Sequence, residues 1–252
     1  MDLPALIFLL IAGVGAGLTG SIAGLASLVS YPALLAVGLS PISANVTNTL
    51  AMLGTTVGAA AGSRPELAGQ RGRLKRLCVI TGAGGACGAA LLLVTPADTF
   101  TAIVPFLIAG ASILLFLGPR LRRFSADSAA FGLGPLTAGG AFLVAVYGGY
   151  FGAAAGVLML ALLSTVWAQS LARSNAAKNI ATGAANLIAA VVFAFTGKVN
   201  WLAMIALCAG TVLGSWIGPA IVRRVPATPL RIVIGLAGLG LAGTLAWQAF
   251  AS

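Results

Sequence analysis

Two apolar runs, residues 3–37 and 131–168, are each nearly twice as long as one membrane crossing needs, which is about 20 residues. Each is interrupted by small residues, "GLTGSIAGLAS" in the first and "YGGYFGAAAG" in the second. In hydrocarbon every backbone N–H and C=O needs an internal partner, so an irregular stretch survives only inside the protein or against a cavity. Each run fits one long tilted helix, or a tight helical hairpin or pair of half-helices. The length and the Gly-rich interruptions favour the hairpin or half-helix pair, broken near Gly20–Gly24 and Gly152–Gly156. The other apolar segments, at 42–62, 74–94, 99–118, 172–196, 200–222 and 229–250, are of single-crossing length.

The fold class is therefore an all-α polytopic membrane protein. Composition agrees: 60% of residues are hydrophobic and 7% are charged, against about 25% charged in a soluble domain. The 34 glycines predict close helix–helix packing, because small residues let backbones approach in lipid. The N-terminus, "MDLPALIFLLIAG", has no basic stretch and reads as a retained first helix rather than a cleaved signal. Cys78, Cys87 and Cys208 lie in apolar segments with no metal-binding spacing.

The two halves resemble each other. At an offset of 130 positions, Asn45 maps to Asn175, Cys78 to Cys208, Gly84 and Gly88 to Gly214 and Gly218, and Pro96-Ala97 to Pro226-Ala227. Gly20 and Gly24 match Gly152 and Gly156 at an offset of 132. Recurrence at one offset argues for duplication, with a first membrane repeat at 1–125 and a second at 126–252.

Basic residues set the orientation. The loop at 63–76 carries Arg64, Arg71, Arg73, Lys75 and Arg76, while its counterpart carries only Lys198. The turn near Pro96 has no basic residue, but its counterpart has Arg223 and Arg224, followed by Arg231. The bias is opposite in the two halves, which predicts an inverted repeat. Inversion needs an odd number of crossings per half, so the two long segments each go in and return, giving about ten crossings. Loops 63–76, 119–130, 169–178 and 222–231 then face the cytoplasm and hold all but one of the 14 basic residues. Lys198 and both termini lie outside the cytoplasm. The net charge of +10 belongs to these loops, and nucleic acid is not an expected partner.

Polar residues sit inside the apolar segments in a pattern. On a helix, Asn175, Lys178, Asn179, Thr182 and Asn186 share one face. The first-half counterparts Asn45, Asn48, Thr49, Met52 and Thr56 share one as well. In an inverted repeat two such stripes approach each other near the bilayer midplane, where transporter sites are built. Two plainer readings stand beside this one. Asn and Thr also serve as hydrogen-bonding glue between membrane helices, and Lys178 can snorkel to the cytoplasmic surface. The glycines at 20–24 and 152–156 serve either close packing or the exposure of helix N-termini.

The chemistry of the stripes is that of donors and one cation. Asn, Thr and Lys supply N–H, O–H and positive charge. The four acids, Asp2, Glu66, Asp98 and Asp127, all lie outside the predicted spans. A cation site needs carboxylates, whereas this set suits a small anion. The substrate-binding candidates are Asn45, Asn48, Thr49, Asn175, Lys178, Asn179, Thr182 and Asn186, with Gly20, Gly24, Gly152 and Gly156 as helix breaks. No cofactor or metal is expected. The partners are a small anionic substrate, the bilayer and, optionally, a second copy in a homodimer.

Three other classes compete. An enzyme needs a nucleophile with a base, a metal set or paired carboxylates, and a chain with no His and no acid in its spans offers none of these. A channel also accommodates inverted repeats and broken helices. A structural membrane subunit has no use for a duplicated polar stripe.

The stretches "GLTGSIAGLASLVSYPALLAVGLSPISANVTNTL" and "YGGYFGAAAGVLMLALLSTVWAQSLARSNAAKNIATG" carry a family resemblance. The chain resembles the TauE/SafE sulfite exporter family of membrane permeases over nearly its whole length, most clearly in the first half. The resemblance implies a permease of the bacterial inner membrane for sulfite, thiosulfate or organosulfonates. The residues by themselves reach only "small anion", and another small organic anion or an anion channel stays open.

Overall fold

The computed structural model describes residues 1–126, 134–167, 169–222, 232, 236 and 239–247. Among these residues there are helices and turns but no strand. Eleven helices are defined: α1 (Leu3–Ala23), α2 (Ala26–Ala36), α3 (Pro41–Ala51), α4 (Leu53–Gly62), α5 (Arg64–Leu67), α6 (Arg71–Val94), α7 (Ala97–Ala126), α8 (Pro135–Tyr150), α9 (Ala155–Val166), α10 (Leu171–Ala194) and α11 (Trp201–Val222). Four of them are long and apolar enough to cross a bilayer: α1, α6, α10 and, over Trp201–Ala220, α11. Shorter apolar helices, including α2 and α9, accompany them.

Both long apolar runs are broken into two helices. The first divides at Gly24, which sits in the left-handed region at φ 76° and closes α1 through its N–H on Gly20 O. Only glycine enters that region without steric cost. The second divides between α8 and α9, with Gly152 at φ 78° and Ala154 at φ 58°. The breaks are turns inside the protein, as the hydrogen-bonding requirement of hydrocarbon demands.

The segment at 42–62, expected as one crossing helix, is interrupted at Met52, where the helical dihedrals persist. The Thr55 hydroxyl donates to Met52 O at 2.6 Å, competing for a carbonyl of the helix ladder, which bends helices. Its sequence counterpart α10 runs unbroken for 24 residues.

Polarity is distributed inside out. Leu136, Phe195, Trp216, Ile205 and Val79 are exposed, forming an apolar surface that suits acyl chains. Asn45, Asn48, Thr81, Ser112, Thr211 and Ser215 are buried, together with an aromatic cluster in which Tyr31 meets Phe151 edge-on at 5.2 Å between ring centroids.

Helices of one half lie on helices of the other: α1 packs on α11, α6 on α8 and α10, and α11 on α4. Small residues make these approaches possible. A Cβ on Gly84 would strike Phe142 O and the side chain of Ala145, and one on Gly88 would strike Val146 O. On α11, Gly210 and Gly214 meet Leu10 O and Val14 O of α1 in the same way. The loop residues Arg223, Arg224 and Arg231, the pair Pro226-Ala227, Asp127 and Ser252 lie outside the described residues.

Candidate functional site

The two breaks meet. A Cβ on Gly24 would fall 2.5 Å from the carbonyl carbon of Gly156, and one on Gly156 would fall 2.6 Å from Gly24 Cα. The C-terminal end of α1 and the first turn of α9 therefore touch main chain to main chain. Beside this contact lies a cavity of about 50 Å³, room for a few water molecules. All four break glycines, Gly20, Gly24, Gly152 and Gly156, line it. So do Lys178, Asn179, Thr182 and Asn186, one face of α10.

α10 begins at Ser170, whose side chain accepts from Arg173 N–H, an N-cap that fixes the start of the helix. Lys178 is seven residues past Leu171, the first helical residue, about 10 Å along the axis. Its side chain is 1% exposed, and Nζ donates to Gly20 O at 2.9 Å. It is a residue of the helix interior rather than of the 169–178 loop, and its ammonium turns inward instead of snorkelling. There it sits at the C-terminal end of α1, where the helix dipole and the unpaired carbonyls favour a cation.

Asn179 is buried, and its Nδ2 has no hydrogen-bond partner. A buried donor left unpaired costs about 1–3 kcal/mol, so this amide, on the cavity wall, is available to a partner inside it. Thr182 donates to Lys178 O at 2.9 Å. The first turns of α2 and α9, through Ala26, Ser27, Ala155 and Gly156, also line the cavity. First-turn N–H groups have no partner within their helix, and they favour negative charge.

From the first-half stripe Met52 also lines the cavity, whereas Asn45, Asn48, Thr49 and Asn175 do not. These four hold the broken segments in place. Asn175 Nδ2 donates to Ser21 O at 2.7 Å, and Asn45 Nδ2 donates to Tyr150 O at 2.8 Å. Each of these asparagines ties down the last turn of the broken helix in the opposite half. Thr49 donates back to Asn45 O at 3.0 Å. Asn48 accepts from Ser30 at 2.5 Å and donates to Ser27 Oγ at 3.1 Å. Ser27 lines the cavity, so Asn48 positions a cavity hydroxyl without reaching the cavity itself. Ser27 and Thr55 line the cavity from outside either stripe, and the position of Ser27 just after the first Gly break is the sequence signal that marks it.

A cavity among apolar helices at the junction of two broken segments, lined by donors and a lysine, marks a multi-pass membrane transporter. The comparisons agree with that class. The Sulfite exporter TauE/SafE family profile matches residues 9–245, and the chain belongs to this family. It is 30% identical over 208 residues to the probable membrane transporter protein YfcA of Escherichia coli K12, covering 82% of this chain and 77% of that protein. It is 26% identical over 240 residues to the probable membrane transporter protein ORF9 of a Sinorhizobium species, covering 92% of this chain and 90% of the relative. It is likewise 26% identical over 240 residues to a probable membrane transporter protein of Haemophilus influenzae, covering 93% and 91%. No solved structure gives a significant match.

Proposed function

We propose that the protein is a secondary permease for small anions, with sulfite, thiosulfate or organosulfonates as the substrate class and the cavity at the two breaks as the binding site. The observation that carries this reading is the lining of that cavity. It holds one lysine and an unpartnered asparagine amide beside two helix N-termini, and no carboxylate among its described residues. Such a set binds negative charge. The family supports the sulfur oxyanions.

In this reading Lys178 and Asn179 contact the anion, with the N–H groups of Ala26, Ser27 and Gly156 on the opposite wall. Asn45 and Asn175 hold the broken helices at their C-terminal ends. The two halves, 1–125 and 126–252, form an inverted repeat of about ten crossings in the bacterial inner membrane, with both termini outside the cytoplasm. The packing of α1 on α11 and of α6 on α8 supports this arrangement, because it interleaves the halves around one centre. The protein is a carrier and not an enzyme.

The test is uptake of labelled sulfite into proteoliposomes holding the purified full chain. Saturable uptake that unlabelled sulfonates compete away supports the proposal. No uptake of any small anion overturns it, and unitary currents in planar bilayers would assign the protein to the channels instead.

A further inference from the structure

The cavity lining counts charge as well as donors. Four helix ends meet there: the C-terminal ends of α1 and α8, at Gly20–Gly24 and Gly148–Gly152, and the N-terminal ends of α2 and α9. Each end carries about half a charge, negative at a C-terminus and positive at an N-terminus. At each break one end of either sign is present, so the dipoles offset one another. What remains is the formal charge of the side chains, and among the described lining residues only Lys178 has one. The neighbouring titratable groups do not line the cavity. Arg173, earlier on α10, donates to Ala68 O at 2.8 Å, and the Tyr147 hydroxyl of α8 donates to Ala153 O at 2.7 Å. The other lining side chains from α1, α2, α4, α8 and α9 do not ionise.

Resting on the anion-permease reading, we infer that this site selects by valence and so narrows the proposed class: Lys178 makes it a receptor for monoanions, such as hydrogen sulfite or a sulfonate, and against dianions such as sulfate and thiosulfate. A monoanion beside the ammonium leaves the site neutral. A dianion leaves one charge uncompensated in a medium of low dielectric, and stranded buried charge is strongly disfavoured. The duplicated sequence provides the contrast. The position equivalent to Lys178 is Asn48, which spends its amide on Ser27 and Ser30. Charge enters from one half only, so one monoanion is bound per chain.

The experiment measures binding of methanesulfonate, sulfite and sulfate to the purified full chain by calorimetry, at pH values on both sides of neutrality. Methanesulfonate stays a monoanion and sulfate a dianion throughout, while sulfite passes from one to the other. Sulfite is expected to weaken relative to methanesulfonate as its dianion takes over, and sulfate to bind on the order of a hundredfold more weakly than methanesulfonate below neutrality. Sulfate binding as tightly as methanesulfonate, or sulfite tightening as it loses its proton, overturns the valence filter while leaving an anion site in place. Failure of all three to bind overturns the anion reading along with the filter. As a second arm, Lys178→Asn is compared with the wild type for methanesulfonate and its neutral relative methanesulfonamide. The variant is expected to lose its preference for the anion, and a retained preference refutes the assignment to Lys178.

Discussion

Replacing Asn179 by leucine moves stability and binding in opposite directions. The wild-type amide is buried, and its Nδ2 has no partner. In the empty protein that donor carries a desolvation cost of about 1–3 kcal/mol. Leucine is close in volume and removes the cost, so the unliganded variant is expected to unfold at an equal or higher temperature than the wild type. In the liganded protein the same amide donates to the anion, and a hydrogen bond to a charged group contributes about 1.5–3 kcal/mol. Its loss corresponds to roughly 10- to 150-fold weaker binding. The assay pairs thermal unfolding of the detergent-solubilised protein, with and without sulfite, with calorimetric titration of methanesulfonate. The wild type gains stability from ligand by mass action, and the variant should gain much less at the same concentration. A less stable variant that binds like the wild type refutes the reasoning, because it makes Asn179 a helix tie and not a ligand.

Other substitutions separate the roles of neighbouring residues. Asn175→Leu removes the bond to Ser21 O and leaves a buried carbonyl short of a partner, so it is expected to lower stability by about 1–3 kcal/mol in the same unfolding assay. Gly24→Ala places a methyl 2.5 Å from the Gly156 carbonyl carbon in a left-handed backbone, and yield of monodisperse protein on size exclusion should collapse. Gly38→Ala is the control. It shares the positive φ, at 88°, but meets nothing within 4 Å, so it should cost only the backbone term, about 1–2 kcal/mol. Single cysteines at Arg73 and Lys198, in a chain stripped of its three native cysteines, should label from opposite faces of the membrane. Labelling of both from one face contradicts the predicted topology.

The breaks were legible because the signal was local: too many apolar residues for one crossing, with glycines in the middle. The stripe on α10 was legible as a face, because helical periodicity states which side chains point together. Periodicity does not state what that face meets. Asn175 and Asn179 are one turn apart, yet one binds Ser21 O, 154 positions away in sequence, and the other lines the cavity. Nothing within the turn distinguishes them. The bend at Met52 is hard to read from sequence because it involves one threonine hydroxyl bonding back to the main chain. The glycine matches were displaced for a related reason. The sequence pairs Gly84 with Gly214 and Gly88 with Gly218, whereas in the packing Gly210 and Gly214 do on α1 what Gly84 and Gly88 do on α8. A shift of four residues is about one helical turn, so it returns a small residue to nearly the same face, and a Gly-rich helix tolerates either register.

The direct contact between Gly24 and Gly156 makes part of the cavity wall out of peptide groups rather than side chains. The N–H and C=O groups there do not change when residues change, provided the chain still bends at both places. That wall offers every ligand the same surface. The opposite wall is α10, where Lys178, Asn179, Thr182 and Asn186 stand in successive turns. A different cargo is therefore accommodated by rewriting the letters of one helix on an unaltered frame, and four positions in a nine-residue window are where such a difference would be written.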